Sequence, residues 1–491
     1  MTREGNRMTL QAVLDEARGL SGTGDVIPVF NPSTEEQIAE FTDCGLDAVN
    51  AAVARAKATF DSGVWSGKAD YDRAKVLWRM GELIERNAEL LAELEMLNAG
   101  MYPAQAKMQV AIGAEWFRYY AGWCTKIDGI ARDVNTGGLT GIDSHMHTYT
   151  LREPYGVVGL IFPWNGPIFN YCAKLAPSLA AGCSSVVKPA EETPLTATVL
   201  HRILAEAGVP DGVANLVNGH GHVVGAAITA HPDVEKVAFT GSTEVGRAIV
   251  HAAAESNLNK ITLELGGKSP VIMFDDANLD LAIPMASFGT FIHSGQACVC
   301  GSRIFAQRGI YERVVEGIAG MANMMQLGGP KEEGTMVGPL ISAKQLKRVS
   351  GYIEQGKADG VEIVTGGHRL DRSGYFIHPT VLTNVATTSR LFQEEIFGPV
   401  VTILPFDDED EAVAMANDST YGLAATTWTN DLGRAHRMAK KLKAGTVGLN
   451  CQMQFDHSMP FGGYKQSGWG LESGKAGIEA YLQTKIVWAQ M

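Results

Sequence analysis

From residue 155 to residue 267 the chain alternates short, unbroken apolar runs with segments of helix length. "VVGLIF" is followed by "FNYCAKLAPSLAAG", "SSVVKP" by "TATVLHRILAEAG", and "VANLVNG" closes this series. Farther on, "VEKVAFTG" and "KITLELGG" flank the helical "TEVGRAIVHAAAESN". Apolar runs without polar alternation belong to strands buried on both faces, and intervening helices make them parallel. The pattern therefore predicts a doubly wound α/β domain. It begins again after residue 270 with helix-like "LDLAIPMASFGTFIHSG", then "SRIFAQ", a helix near 311 to 326, and strand–helix pairs to about 450, so a second α/β domain is expected. Ahead of the first domain lie helical stretches, and "MHTYTLREP" alternates like an exposed strand.

A length of 491 residues allows two to four such domains, and 45% hydrophobic with 19% charged residues is the composition of a chain that folds rather than stays disordered. The net charge of −13 comes with no Lys/Arg block, so a nucleic-acid partner is not expected. The start, "MTREGNRMTL", has no apolar signal core, and the longest uncharged stretch is broken by Pro163, Asn165, Pro167 and Asn170. A cytoplasmic protein with no membrane span is expected. Seven cysteines are an odd number and too few for a disulfide framework.

Doubly wound sheets bind ligands beyond the carboxyl ends of their strands. The residues there are "PWN" (163 to 165), "KPAE" (188 to 191), "GSTEVG" (241 to 246) and "ELGG" (264 to 267). "GSTEVG" is no triphosphate clamp, because Arg247 and Ala248 stand where Lys and Ser/Thr are needed. It can still aim backbone N–H groups and the Ser242 hydroxyl at a phosphate, or simply cap its helix. A G-x-G-x-x-G fingerprint, a G-x-S-x-G elbow and an H-E-x-x-H helix are all missing. The histidine pairs 145/147 and 220/222 lack acidic or thiol partners at ligand spacing, so no metal is expected. The stretch "HSGQACVCGSR" (293 to 303) admits three readings: a metal clip, a disulfide half, or a loop presenting a nucleophilic thiol. The first two lack a second cysteine pair, and the third needs an open, electropositive setting.

Seven motifs in one order, "PWN", "KPAEETPL", "FTGSTEVG", "LELGGKSP", "GQACVCGSR", "EEIFGPV" and "MPFGGYKQSG", resemble the NAD(P)-dependent aldehyde dehydrogenase superfamily across roughly residues 150 to 470. The resemblance implies a Rossmann-like cofactor domain (1–135 with 155–262), an α/β catalytic domain (263–465), and a β oligomerisation arm with the C-terminal tail (136–154 and 466–491). It makes Cys298 the nucleophile, Asn165 with the Cys298 amide the oxyanion donors, and Glu264 the base that activates water. For the cofactor it implies Lys188 and Glu191 at the adenosine ribose, Gly241 and Ser242 at the pyrophosphate, Glu395 at the nicotinamide ribose, and Phe397 and Trp164 beside the nicotinamide. NAD is expected over NADP, because Glu191 would repel a 2′-phosphate, an effect softened by Lys188.

The resemblance also bears on the substrate. Relatives that prefer small aldehydes commonly carry aromatic residues at the positions of Gly166 and Ala173, so a bulky, apolar aldehyde is expected unless neighbours such as Phe169 refill the space. Ile292, Met453, Phe455 and Phe461 are the other expected lining residues, and with few aromatics among them a cage for a quaternary ammonium looks incomplete. A homodimer or homotetramer is expected from the arm. The alternatives are a CoA-acylating semialdehyde dehydrogenase, against which Glu264 argues, and a catalytically silent structural relative.

Overall fold

The structure, a computed structural model, describes residues 8–19, 24–135 and 145–490. A hairpin of β1 (Val26–Phe30) and β2 (Gln37–Thr42) precedes four helices, Gly45–Asp61, Asp70–Arg86, Ala88–Ala99 and Pro103–Ala121. The chain then runs through β3 (Ala131–Asn135) and β4 (His145–Pro154) into β5 (Val157–Ile161), β6 (Ser184–Lys188), β7 (Ala214–Leu216), β8 (Lys236–Thr240) and β9 (Lys260–Glu264). These last five are parallel in the order β9-β8-β5-β6-β7. Every residue of β5 and β6 is buried, in β5 as its unbroken apolar run requires and in β6 with Ser184, Ser185 and Lys188 buried beside Val186 and Val187. From β5 the chain winds one way to β6 and β7, then returns to place β8 on the other side of β5. The resulting switch point opens a crevice between the loops after β5 and β8.

The second sheet is built from β10 (Pro270–Met273), β11 (Arg303–Gln307), β12 (Glu362–Thr365), β13 (Thr380–Thr383), β14 (Val400–Phe406), β16 (Ala424–Trp428) and β17 (Thr446–Leu449). Its order is β12-β13-β14-β11-β10-β16-β17, parallel except for β12. Between these strands and the tail, β15 (Tyr421–Gly422) pairs with β18 (Tyr464–Lys465). The doubly wound expectation thus holds twice over.

Two boundaries differ from the sequence reading. β19 (Gly468–Trp469), expected in the tail, pairs antiparallel with β9 as the sixth strand of the first sheet. β3, expected in the cofactor domain, pairs with β4 instead. In both cases a short segment without its own period is captured by an unpaired sheet edge. The arm itself is the three-stranded sheet β20-β4-β3, where β20 (Leu482–Gln490) runs in register from Leu482↔Pro154 to Gln490↔Met146. Residues 136–144 of the expected arm lie outside the described residues. Leu151, Ile486 and Trp488 are exposed on this sheet. Among the described residues, no helix is long and apolar enough to cross a membrane.

The helix Pro167–Ala181 is buried at every position but Phe169, so its first turn must find partners inside the protein. Glu95, wholly buried on Ala88–Ala99, supplies one. Its carboxylate faces the Ile168 amide and accepts a 2.7 Å hydrogen bond from the Thr196 hydroxyl. Burial pushes its pKa up to about 8, against an ordinary 4.5. A carboxyl raised on folding costs stability that is absent below about pH 4.5, grows as the pH rises, and is complete above about pH 8. Glu95→Gln should therefore unfold at a higher temperature relative to wild type at about pH 9 than at about pH 5, a difference worth about 3 kcal/mol. An equal offset at both pH values would show that Glu95 does not fold uncharged.

Candidate active site

The helix Leu279–Phe291 ends at a tight reversal in which His293, Ser294 and Gly295 take φ of 51°, 55° and 69°. Three left-handed residues in succession are strained and persist only where surroundings fix them. A Cβ on Gly295 would stand 2.2 Å from the Gly398 carbonyl, so glycine is required there. The Ser294 hydroxyl donates to the Gly338 carbonyl at 2.5 Å. Gln296, fully buried, accepts from the Ile341 amide at 2.9 Å and donates to the His293 carbonyl at 3.0 Å. Two residues on, Cys298 is half-buried, whereas Cys300 is buried and its thiol is pushed up to about 12 by that burial. All seven cysteines are free, and no metal-binding cluster occurs among the described residues. The electropositive setting expected for a presented thiol is not what surrounds Cys298, whose charged neighbours are the carboxylates of Glu395 and Glu264.

Around Cys298 the loops after the first sheet's strands converge. Asn165 Nδ2 donates to the Gln296 carbonyl at 2.9 Å, which sets its carboxamide against the thiol loop. Gly267 passes so close that a Cβ there would lie 2.3 Å from the Cys298 carbonyl oxygen, and its amide donates to Glu395 Oε1 at 2.9 Å. Burial, then the charges of Glu395 and Glu264, hold the Cys298 thiol well above its ordinary range. Burial pushes Glu395 up to about 7. Glu264, at the end of β9, is buried with Oε2 unpartnered. Burial first and the Glu472 carboxylate second raise it well above 4.5, while Lys174 pulls the other way. Lys174 and Glu472 form a buried ion pair.

A second group of side chains extends along the same crevice. The Lys188 ammonium donates to the Pro189 carbonyl at 2.9 Å and meets Glu191 Oε2 at 3.4 Å. Burial is the largest influence on Glu191 and opposes its ionisation, but Lys188 together with backbone amides at Glu191 and Gly221 holds the carboxyl below its ordinary range. Ser242, preceded by Gly241, caps the helix Thr243–Glu255 by accepting from the Val245 amide at 3.3 Å. Phe397, left-handed at φ 60°, sets its ring edge-on to Trp164 at 5.4 Å. Arg348 and Gln345 hold its loop by donating to the carbonyls of Glu395 and Phe397, at 2.6 and 2.7 Å.

The expected substrate pocket is more aromatic than its sequence suggested. Phe169 packs against Phe455 at 5.3 Å and Trp116 at 6.0 Å, and His457 closes the group 4.9 Å from Trp116. Ala173 is buried in the core, and a Cβ on Gly166 would meet Asn170 Nδ2 at 3.2 Å. A Cβ on Gly166 would also lie 3.5 Å from the Phe169 Cβ. Ile292 leads into the thiol loop, Met453 is left-handed at φ 58°, and Phe461 precedes Gly462, where a Cβ would lie 3.2 Å from Glu264 Oε1. Trp116, His457, Gln296 and Glu472 were not singled out in the sequence. Lys174 could have been, as the one charge in an otherwise uncharged helix.

Comparison with known proteins agrees with this arrangement. Residues 20–487 match the model of the aldehyde dehydrogenase family. An aldehyde dehydrogenase of Emericella nidulans is 45% identical over 94% of this chain and 92% of its own length. A mitochondrial benzaldehyde dehydrogenase of Antirrhinum majus is 42% identical over 95% of this chain and 86% of its own. Among solved structures, a point mutant of betaine aldehyde dehydrogenase from Staphylococcus aureus, in complex with NAD+, superposes with a TM-score of 0.92 at 38% identity, covering 96% of this chain and 95% of that one. The chain belongs to the aldehyde dehydrogenase family, and it is an oxidoreductase that oxidises aldehydes.

Because the Gln296 side chain ties the strained turn to Pro339 and Ile341, beside the Ser294–Gly338 bond, Gln296→Ala should loosen the thiol without removing it. We expect kcat to fall by about ten- to a hundredfold, as small misplacements of a reacting group do, with dinucleotide affinity changed less than about twofold. Single-turnover kinetics and equilibrium binding check this; an unchanged kcat would show that the turn holds itself.

Proposed function

We propose that this enzyme oxidises bulky, apolar aldehydes to carboxylic acids with NAD, through a thiohemiacetal and then a thioester on Cys298. The observation that carries the reading is the convergence of a half-buried thiol, the Asn165 carboxamide and the buried Glu264 on one crevice. A thiol held above its range attacks only after its proton leaves, so the attacking species is the thiolate. As sulfur bonds to the carbonyl carbon, charge moves to the oxygen, where Asn165 Nδ2 and the Cys298 amide receive it. Bound NAD supplies the hydride acceptor that turns the thiohemiacetal into a thioester. Glu264 then takes a proton from water as its oxygen attacks the acyl carbon, releasing the acid and freeing the sulfur. Water rather than CoA as acceptor is favoured by that same carboxylate.

The chain's own groups suit a dinucleotide. Carboxylates at Glu191 and Glu395 can accept from two ribose diols, and the helix start at Gly241 and Ser242 is electropositive, as a pyrophosphate needs. Lys188 would join Glu191 at the adenosine ribose, while Trp164 and Phe397 would flank the nicotinamide. On this reading the first sheet's unit holds the cofactor and the second presents the thiol. The exposed Ile486 and Trp488 on the arm support a homodimer or homotetramer, and seven free thiols support a reducing, cytoplasmic setting.

The apolar lining rewards a hydrocarbon substrate by about 25 cal/mol per Å² buried, and the benzaldehyde-oxidising relative points the same way. The rings of Trp116, Phe169, Phe455 and His457 favour a second reading, a cationic aldehyde such as betaine aldehyde. A kcat/KM series from acetaldehyde through hexanal to benzaldehyde, with betaine aldehyde beside it, separates them. We expect benzaldehyde or hexanal to lead acetaldehyde by at least about tenfold; betaine aldehyde at the head would select the second reading. Cys298→Ala should abolish turnover where Cys300→Ala does not. Glu264→Gln should give a burst of about one NADH per site and then slow turnover. Lys174→Met should move the acid limb of kcat to higher pH, since removing that cation makes the Glu264 carboxylate harder to form; an unmoved limb would assign it to another group.

A further inference from the structure

The stretch "HGH" (220 to 222) takes no part in the chemistry above, yet it sits beside the carboxylate proposed to hold the adenosine ribose. His220 Nδ1 lies 3.8 Å from Glu191 Oε1, while Lys188 approaches the other carboxylate oxygen at 3.4 Å. The His222 ring stacks on that of His220, with centroids 5.4 Å apart and planes 27° from parallel. His222 is exposed and His220 partly so. The backbone here is fixed: the His220 amide donates to Asp43 Oδ2 at 2.7 Å, and Asp43 Oδ1 accepts from Gly45 at 2.8 Å.

Two basic groups therefore meet Glu191, and a third, His222, lies behind one of them. Asp43 and Cys44 face them from the turn before the helix Gly45–Asp61, whose exposed first turn carries Asp47, and Glu192 follows Glu191. The adjoining helix Ala226–Ala230 is uncharged. Two imidazoles stacked on one another can both carry a proton only at the cost of mutual repulsion. Glu191 can offset one such charge; a second needs another anion, and solvent-facing His222 has none in contact.

We propose that His220 and His222 gate a 2′-phosphate subsite, so that the enzyme takes NADP as well as NAD when these imidazoles are protonated and rejects it when they are neutral. This rests on the reading that Lys188 and Glu191 hold the adenosine ribose. The phosphate dianion is the second counterion that lets both rings carry charge against Glu191.

The test compares affinities of the full-length enzyme for adenosine 2′,5′-bisphosphate and for AMP at about pH 6 and about pH 8.5, at constant ionic strength. We expect the preference for the bisphosphate to rise about tenfold on acidification in wild type and by less than about twofold in His220→Gln/His222→Gln. The phosphate's own ionisation near pH 6 is shared by both proteins, so the difference reports the imidazoles. The kcat/KM ratio of NADP to NAD should follow the same course. A flat wild-type profile, or a rise that persists in the double variant, overturns the gate. Glu191→Gln separates the two levels: if it leaves bisphosphate affinity unchanged at both pH values, the ribose assignment fails and the gate with it. If it tightens binding while the histidines have no effect, the gate alone fails.

Discussion

One buried carboxamide, that of Gln296, joins the parts on which the site depends. Its side chain ties the strained turn at His293 to the segment at Ile341, and its own carbonyl receives Asn165 from the loop after β5. The Cys298 loop and Asn165 belong to different sheets, and this junction joins them directly. A neutral amide suits the task because it donates and accepts at once without adding charge to a site already crowded with carboxylates. Gly267 makes the complementary approach from the first sheet, lying against the Cys298 carbonyl while its amide steadies Glu395.

The surrounding electrostatics are those of a site kept uncharged until it is used. Cys298, Glu264 and Glu395 are all held above their ordinary ranges, mainly by burial and then, for the thiol, by the two carboxylates. In water each would titrate independently; here ionising one makes the next harder. The Lys174–Glu472 pair lies behind Glu264, and its two members push that carboxyl in opposite directions. A carboxyl raised in this way is a stronger base when ionised than one in water.

How far the sequence could be read follows from the range of the forces involved. β5 was legible because a strand buried on both faces favours an unbroken apolar run, β6 through its Val186–Val187 centre and its place between helices, and the loops at 163–165, 188–191, 241–246 and 264–267 because parallel strands all deliver their ends to one side. The chemistry of Cys298 and Glu264 came from a resemblance, since neither residue alone differs from a buried cysteine or a strand-end carboxylate. Trp116 and His457 were invisible: 341 positions separate them, and only the packing of Pro103–Ala121 against the C-terminal loops brings them to 4.9 Å. β19 was missed for another reason. Two residues, one of them glycine, carry no period, and their pairing is decided by the open edge of β9.

That last strand ties the timing of the chain's assembly to its end. Gly468 pairs with Glu264 itself, and the Leu265 amide donates to the Ser467 carbonyl at 2.9 Å, so the backbone under the base is completed by residues more than two hundred positions later. Domains form from the N-terminus as synthesis proceeds. A nascent chain can wind the first five parallel strands and later expose Cys298, yet it lacks the edge that seats Glu264 until the tail emerges. The backbone beneath Glu264 is therefore closed by residues that follow the Cys298 loop in the chain, so its seating depends on a contact of very long sequence range.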